Sequence, residues 1–293
     1  MDSRQSSLLP NELWIRILEN LNADEDLPTL WKSCRQVSTA FKAITESIFR
    51  EKHLPRTRLG FYLGEYVEVG NALQDDEIRH LAAGFEFSSL CGDRATAIFS
   101  ADEDLPENLQ PRIKKRLREY LVRADILVPQ HTVQIRRDIN DGPIPNLSIE
   151  YEKLELSCDW RKLFSIFYNE EFLYRAITAK TLKEREPLLA ELKAEVDRGQ
   201  MDPRVVMQQS LTMFGEDLKT SRKLARRARI IWQCKEHDGT EWDFDRDGNA
   251  EEENKCLADL EKIRYYASFE EFSDEESDDD PKHKGEDDDD KDS

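Results

Sequence analysis

Long apolar runs are missing from this chain. Its 293 residues are 38% hydrophobic, yet no stretch approaches the 18 or more apolar residues that a membrane-spanning helix needs, so no membrane association is expected. The opening residues, MDSRQSS, lack the basic-then-apolar plan of a signal peptide. The five cysteines, Cys34, Cys91, Cys158, Cys234 and Cys256, are scattered, and no two stand at C-x-x-C spacing. That pattern excludes a disulfide frame and a structural zinc site, and it points to reduced, buried thiols in cytosol or nucleus.

Catalytic signatures are absent too. There is no G-x-S-x-G, no glycine-rich phosphate loop, no H-E-x-x-H and no paired-carboxylate spacing. His53, His80, His131, His237 and His283 are isolated from one another. Cys234, His237 and Asp238 can be staged as a nucleophile pair, but a helix end followed by a turn explains them as well. No cofactor is expected. Internal repeats are also lacking: neither the L-x-x-L-x-L register nor recurring W-D pairs occur. Asp243-Phe244-Asp245-Arg246-Asp247-Gly248 imitates the start of a calcium loop. A calcium loop requires an acid at its twelfth position, where this chain has Asn254, so a solvated acidic turn is expected and no metal.

The net charge of -19 is unevenly spread. Residues 270–293 hold 14 acids and 3 lysines, a net -11, which leaves -8 for everything before them. A mildly acidic folded part is a poor lure for nucleic acid. The terminal run cannot bury enough apolar surface to offset its ordering entropy, so disorder is expected over 269–293. Ser273 and Ser277 precede acids there and are candidate phosphorylation sites, resembling those of casein-kinase type. The run also contains Asp287 to Lys291, D-D-D-D-K, which resembles an enteropeptidase site. Lys219, Arg222, Lys223, Arg226, Arg227 and Arg229 crowd another segment. They read as a nuclear-localisation or phosphate patch, as partners of the acidic tail, or as a solvated helix face.

The most informative stretch runs from Leu8 to Leu54. Pro10 stands where a helix can begin. Leu13, Ile17, Leu18 and Leu21 recur at helical spacing, with Trp14 and Ile15 widening the apolar surface. Asn22 to Asp26 is a break, in which Asp24 or Asp26 can cap a second helix carrying Leu27, Leu30, Trp31 and Cys34. Ser38 can cap a third, with Phe41, Ile44, Ile48 and Phe49. Three short helices with short connections make a bundle. A bundle under roughly 70 residues supplies little stability by itself, so its apolar faces need the rest of the chain or a partner.

The order Leu9-Pro10-x-Glu12-Leu13, Ile17-Leu18-x-x-Leu21, Asp26-Leu27, Cys34-Arg35-x-Val37-Ser38 and then Phe41 resembles an F-box, over about 45 residues. Phe41 stands where many members carry tryptophan, and the acidic turn before Pro28 is slightly long. The resemblance implies docking onto a Skp-type adaptor, and through it onto the cullin and RING subunits of a ubiquitin ligase. Leu9, Pro10, Glu12, Leu13, Ile17, Leu18, Leu21, Leu27, Leu30, Val37, Ser38 and Phe41 carry it, and the adaptor would meet a subset of them. Residues 132–171 also resemble a segment of filamentous-fungal F-box proteins, "HTVQIRR … DW". The implied role is a non-catalytic receptor that recruits a protein target the sequence does not name. A scaffold that binds the adaptor without a cullin, and an enzyme within 55–268, are the alternatives.

Beyond residue 54 the expected class is α+β. Pro55 to Val69 alternates as a strand or two. Asn71 to Gly84 has helical or loop character, and 85–90 and 95–99 form two strands about Gly92-Asp93. Glu107 to Arg123 is helical. Thr132 to Ser157 reads as an antiparallel hairpin with one buried face and a turn at Asn140-Asp141-Gly142-Pro143. Helices follow from Trp160, over Pro187–Val196 with Gly199 past its end, over Met201–Phe214 and Glu216–Trp232 parted at Gly215, and over Glu251–Tyr266. The expected units are 1–54, a β-rich 55–160, a helical 161–268 packed on it, and the tail 269–293.

Overall fold

The computed structural model describes residues 10–21, 23–68, 77–123, 125–239 and 241–274. Among them are eight helices and seven strands, a mixed α/β fold around one antiparallel sheet. Three helices come first: α1 (Asn11–Asn20), α2 (Leu27–Lys32) and α3 (Thr39–Ile48). Ser38 caps α3 as its sequence position suggests, its Oγ accepting the amide of Phe41 at 3.2 Å. Neither aspartate caps α2. Asp26 makes no side-chain cap bond, and Asp24 pairs with Arg136 at 3.1 Å.

The sheet has the order β5-β4-β1-β2-β3-β7-β6. Strand β1 (Thr57–Glu68) alternates as expected: Leu59, Phe61 and Leu63 are buried while Arg58 and Tyr62 face solvent. Its pairing with β2 shifts register between Tyr62 and Glu65. Gly64 sits in that irregularity at φ +91°, a backbone region that glycine enters without a Cβ penalty. Strand β2 (Glu77–Leu90) overturns the helical or loop reading of 71–84 from residue 77 onward; residues 71–76 lie outside the described residues. The sequence Leu81-Ala82-Ala83 has helical propensity, but pairing of Ala82 and Ala83 with β1 imposes period two. Leu81, Ala83 and Phe85 all point into the core. Strand β3 (Thr96–Ala101) follows the expected turn, in which Asp93 accepts the amides of Ala95 and Thr96.

Helix α4 (Gln110–Arg123) lays Ile113, Leu117 and Tyr120 on the core. The single hairpin expected over 132–157 is two hairpins at opposite edges of the sheet. Strands β4 (His131–Ile135) and β5 (Asp138–Asn140) extend the β1 side, and β6 (Ser148–Glu150) and β7 (Glu155–Asp159) extend the β3 side. Alternation is the same in either arrangement, so periodicity does not reveal which neighbour a strand takes.

Two long helices follow. Helix α5 (Trp160–Asp197) runs straight through Pro187, and α6 (Pro203–Asp238) runs through Gly215, so neither interior breaker divides its helix. The two pack along each other, which outweighs the amide lost at Pro187 and the entropy cost at Gly215. The breakers at helix ends act as expected. Gly199 (φ +71°) and Gly239 (φ +66°) close the two helices in the left-handed conformation. Asp243 caps the short α7 (Phe244–Asp247), its carboxylate accepting the Asp245 amide at 3.0 Å. The calcium-like run is thereby a capped helical turn. Helix α8 (Ala250–Asp274) extends past Tyr266 and into the segment expected to be disordered from 269.

One apolar cluster joins the N-terminal segment, the sheet, α4 and α5, and a second, smaller one joins Ile139 of β5 to Leu260 of α8. Trp31, Ile48, Phe49 and Leu54 from the N-terminal segment, Phe61, Phe85 and Phe99 from the sheet, and Trp160, Phe164 and Tyr168 from α5 belong to the first. Among the described residues, no helix is long and apolar enough to cross a membrane.

Candidate interaction surface of the N-terminal helices

The N-terminal helices divide into an anchored pair and a bare one. Helix α2 buries Leu27, Pro28, Leu30 and Trp31. The Trp31 ring lies 4.8 Å from Phe49 and 5.4 Å from Phe164, and its indole N–H donates to Ser165 Oγ at 3.2 Å. Arg35 covers the same ring at 4.1 Å and reaches Glu46 at 2.6 Å, while Arg161 of α5 meets Glu46 from the other side at 2.9 Å. Burial pushes the Glu46 carboxyl up, but the hydrogen bonds and charges of Arg35 and Arg161 outweigh it and hold it below its ordinary value. These contacts fasten α2 and α3 to α5.

Helix α1 is held more lightly. Pro10 precedes it, its carbonyl accepting the amides of Leu13 and Trp14. Leu18 is buried, and Trp14 rests on Phe41 with ring centroids 4.9 Å apart. Leu13, Ile17 and Leu21, spaced four residues apart on one stripe, stay in solvent, with Leu13 44% exposed. Ile15 is exposed as well, and beyond the α1 stripe Val37, between α2 and α3, is 65% exposed.

Of the residues that carry the sequence resemblance, Pro10, Glu12, Leu13, Ile17, Leu21, Val37 and Ser38 are thus on the surface, and Phe41 is half-buried. Leu18, Leu27 and Leu30 are buried against this chain's own core and have no surface to offer a partner. Leu9 lies outside the described residues, as does Ser277; Ser273 falls in α8 with no described side chain. Ile15 belongs with the exposed set and is missed by the motif, although its place beside Trp14 in an apolar helix signals it.

The basic segment of α6 turns Arg226 and Arg229 into the interior and leaves Lys219 exposed. Arg226 donates to Asp141 through Nε at 2.8 Å and Nη2 at 2.6 Å, and to the Leu127 carbonyl at 2.7 Å. Arg229 bridges Asp141 and Glu170, and Arg222 pairs with Glu171 and lies over the Tyr174 ring. Lys223 and Arg227 both meet Glu253 of α8, and Lys219 meets Glu261. Every member of the proposed phosphate or nuclear-localisation patch therefore has a carboxylate partner from this chain, which corrects that reading. Burial pushes the Asp141 carboxyl up, and the Arg229 and Arg226 guanidiniums overcome this and hold it well below the usual carboxylate range. The sequence places Asp141 in a turn and leaves its burial open. The signal for a buried counter-charge is the i, i+4, i+7 spacing of Arg222, Arg226 and Arg229, which gathers three cations on one helix face.

Two grooves remain. One, about 220 Å³, is bordered by Tyr120, His131, Pro143 and Gln233. Its histidine is fully engaged: His131 Nε2 donates to the Gly142 carbonyl at 2.8 Å, and its Nδ1 accepts from the Tyr120 hydroxyl at 2.5 Å. The other, about 290 Å³, lies between the distal halves of α5 and α6. No group of three or more His, Cys, Asp or Glu arranged to hold a metal ion occurs among the described residues. Comparison with known proteins adds no relative: no family model matches the chain, and neither a curated protein nor a solved structure is similar to it.

Proposed function

We propose that this chain is the target-recruiting subunit of a Skp–cullin–F-box ubiquitin ligase, acting in cytosol or nucleus. The carrying observation is the apolar stripe of Leu13, Ile17 and Leu21 on the lightly held α1, exposed together with Val37 between α2 and α3. A Skp-type adaptor covers these residues, and the cullin and RING subunits follow through it. The chain performs no chemistry; it holds a protein target near a charged conjugating enzyme, so that proximity supplies the rate.

Central apolar anchors of interfaces typically cost about 2 kcal/mol or more on truncation. Leu13→Glu with Ile17→Glu is therefore expected to abolish co-purification of the adaptor. Leu13 is 44% and Ile17 42% exposed and neither belongs to the buried core, so the circular dichroism is expected to stay that of the parent. Undiminished adaptor capture by the double variant sinks the proposal. Capture of adaptor without cullin would instead assign a scaffold role.

A further inference from the structure

From Phe172 through Thr220, forty-nine consecutive residues of α5, the connecting turn and α6, not one residue is buried. The α5 part of this arm, residues 172–197, is about 39 Å long at 1.5 Å per residue. Over this length the two antiparallel helices pack mainly on each other, with Lys32 over Phe172 and Lys219 beside Glu261 at the arm's base. Most helical stability in proteins comes from burying an apolar face, and this pair leaves such a face bare. Met207 is 65% and Leu211 60% exposed, and Leu182, Leu189 and Phe214 join them around the 290 Å³ groove. The groove floor is fixed by an ion pair, Arg185 to Asp217 at 3.0 Å, which ties α5 to α6 at that level.

We propose that the arm is a homodimerisation element, in which two copies lay their α5–α6 pairs together as a four-helix bundle. This chain's own acidic end does not suit the groove. The longest segment outside the described residues, 275–293, is built from Asp, Glu, Ser, Lys, His and Gly with a single Pro. Such a segment offers no side chain to an apolar groove. Charge favours a second copy at this place. Residues 180–219 hold seven basic and eight acidic side chains, close to balance in a chain of net charge -19. Two copies repel each other elsewhere and meet here without penalty. A mixed, near-neutral surface is also what a two-fold axis needs, since each patch must complement itself. Fully covering the five groove side chains and Val205 removes on the order of 500 Å² of apolar surface per copy. The stems of the flanking Lys and Arg residues extend this toward the roughly 800 Å² per partner of stable interfaces.

The test is the mass of the full-length chain in solution, by sedimentation equilibrium across the micromolar range. The expected result is a species near twice 34.3 kDa. Met207→Glu with Leu211→Glu is expected to give the single-chain mass with unchanged helical circular dichroism, a weakening of at least a hundredfold. Val37→Glu, away from the arm, is expected to leave the dimer intact. A parent chain that stays single throughout overturns the proposal, including the case in which the arm instead captures a different protein. So does an arm variant that still dimerises. Adaptor capture by the arm variant is expected to equal that of the parent, which keeps this test separate from that of the ligase role.

Discussion

Replacing Asp141 by Asn removes the carboxylate on which the junction of β5, α5, α6 and α8 is built. Its Oδ2 accepts both Nε and Nη2 of Arg226, and its Oδ1 accepts Arg229. The loss falls unequally on the two arginines. Arg229 keeps Glu170 at 2.5 Å and Gln233 at 2.7 Å. Arg226, 1% exposed, keeps the Leu127 carbonyl and the Cys256 sulfur and, among the described residues, has no other carboxylate in contact. A buried guanidinium is thus left without its counter-charge. Breaking a buried pair from one side costs about 3–5 kcal/mol, a large part of the roughly 5–15 kcal/mol that holds a domain together. Asp141→Asn is expected to lower stability by that amount in urea titrations followed by circular dichroism. Because the pair is buried, added salt screens it little and changes the loss only slightly. Adding Arg226→Met removes the orphaned charge with a side chain of similar volume and is expected to restore most of the loss. A cost under about 1 kcal/mol for the single change would refute the assignment of this network as the junction's anchor. A double variant as unstable as the sum of its parts would refute it as well.

Acid weakens the fold through His53. Burial, and then the positive charges of Arg136, Arg56 and Lys52, lower its pKa to about 3, and neither ring nitrogen has a hydrogen-bond partner. The unfolded chain protonates near 6.5, so the stability from keeping this ring neutral is complete above that pH. It is lost as pH falls toward 3, by about 1.4 kcal/mol at pH 5.5. Urea midpoints of the parent and of His53→Leu at pH 7 and 5.5 check this: the parent should lose the larger amount, and equal losses count against it. Deleting residues 1–21 takes only Leu18 from the buried core of the described residues and is expected to leave cooperative unfolding. Deleting 1–54 also removes Leu27, Leu30, Trp31, Ile48, Phe49 and Leu54, on the order of 10 kcal/mol of burial, and is expected to abolish it.

Core packing crosses residue 54, since Trp31, Phe49 and Leu54 share one apolar cluster with the sheet and α5. Periodicity located the N-terminal helices because their spacing is local, and it located the alternation of β1 for the same reason. It carried no information on what each face meets. Trp31 reads as one residue of a small bundle, yet it packs on Trp160 and Phe164, more than 120 residues away. Strand β2 took its form from pairing that overrode the helical propensity of Leu81-Ala82-Ala83. Pro187 and Gly215 were read by local rule, and the rule holds only at helix ends, where Gly199 and Gly239 adopt positive φ. Two apolar patterns behave differently. Leu13, Ile17 and Leu21 on α1, and Met207, Leu211 and Phe214 on α6, have the spacing of core faces and are left in water. Exposed single apolar residues are ordinary, but a helical stripe of them is a surface shaped for another helix. Among the described residues one such stripe lies on the lightly held first helix and another on an arm without a buried residue, and these are the surfaces proposed above for the adaptor and for a second copy.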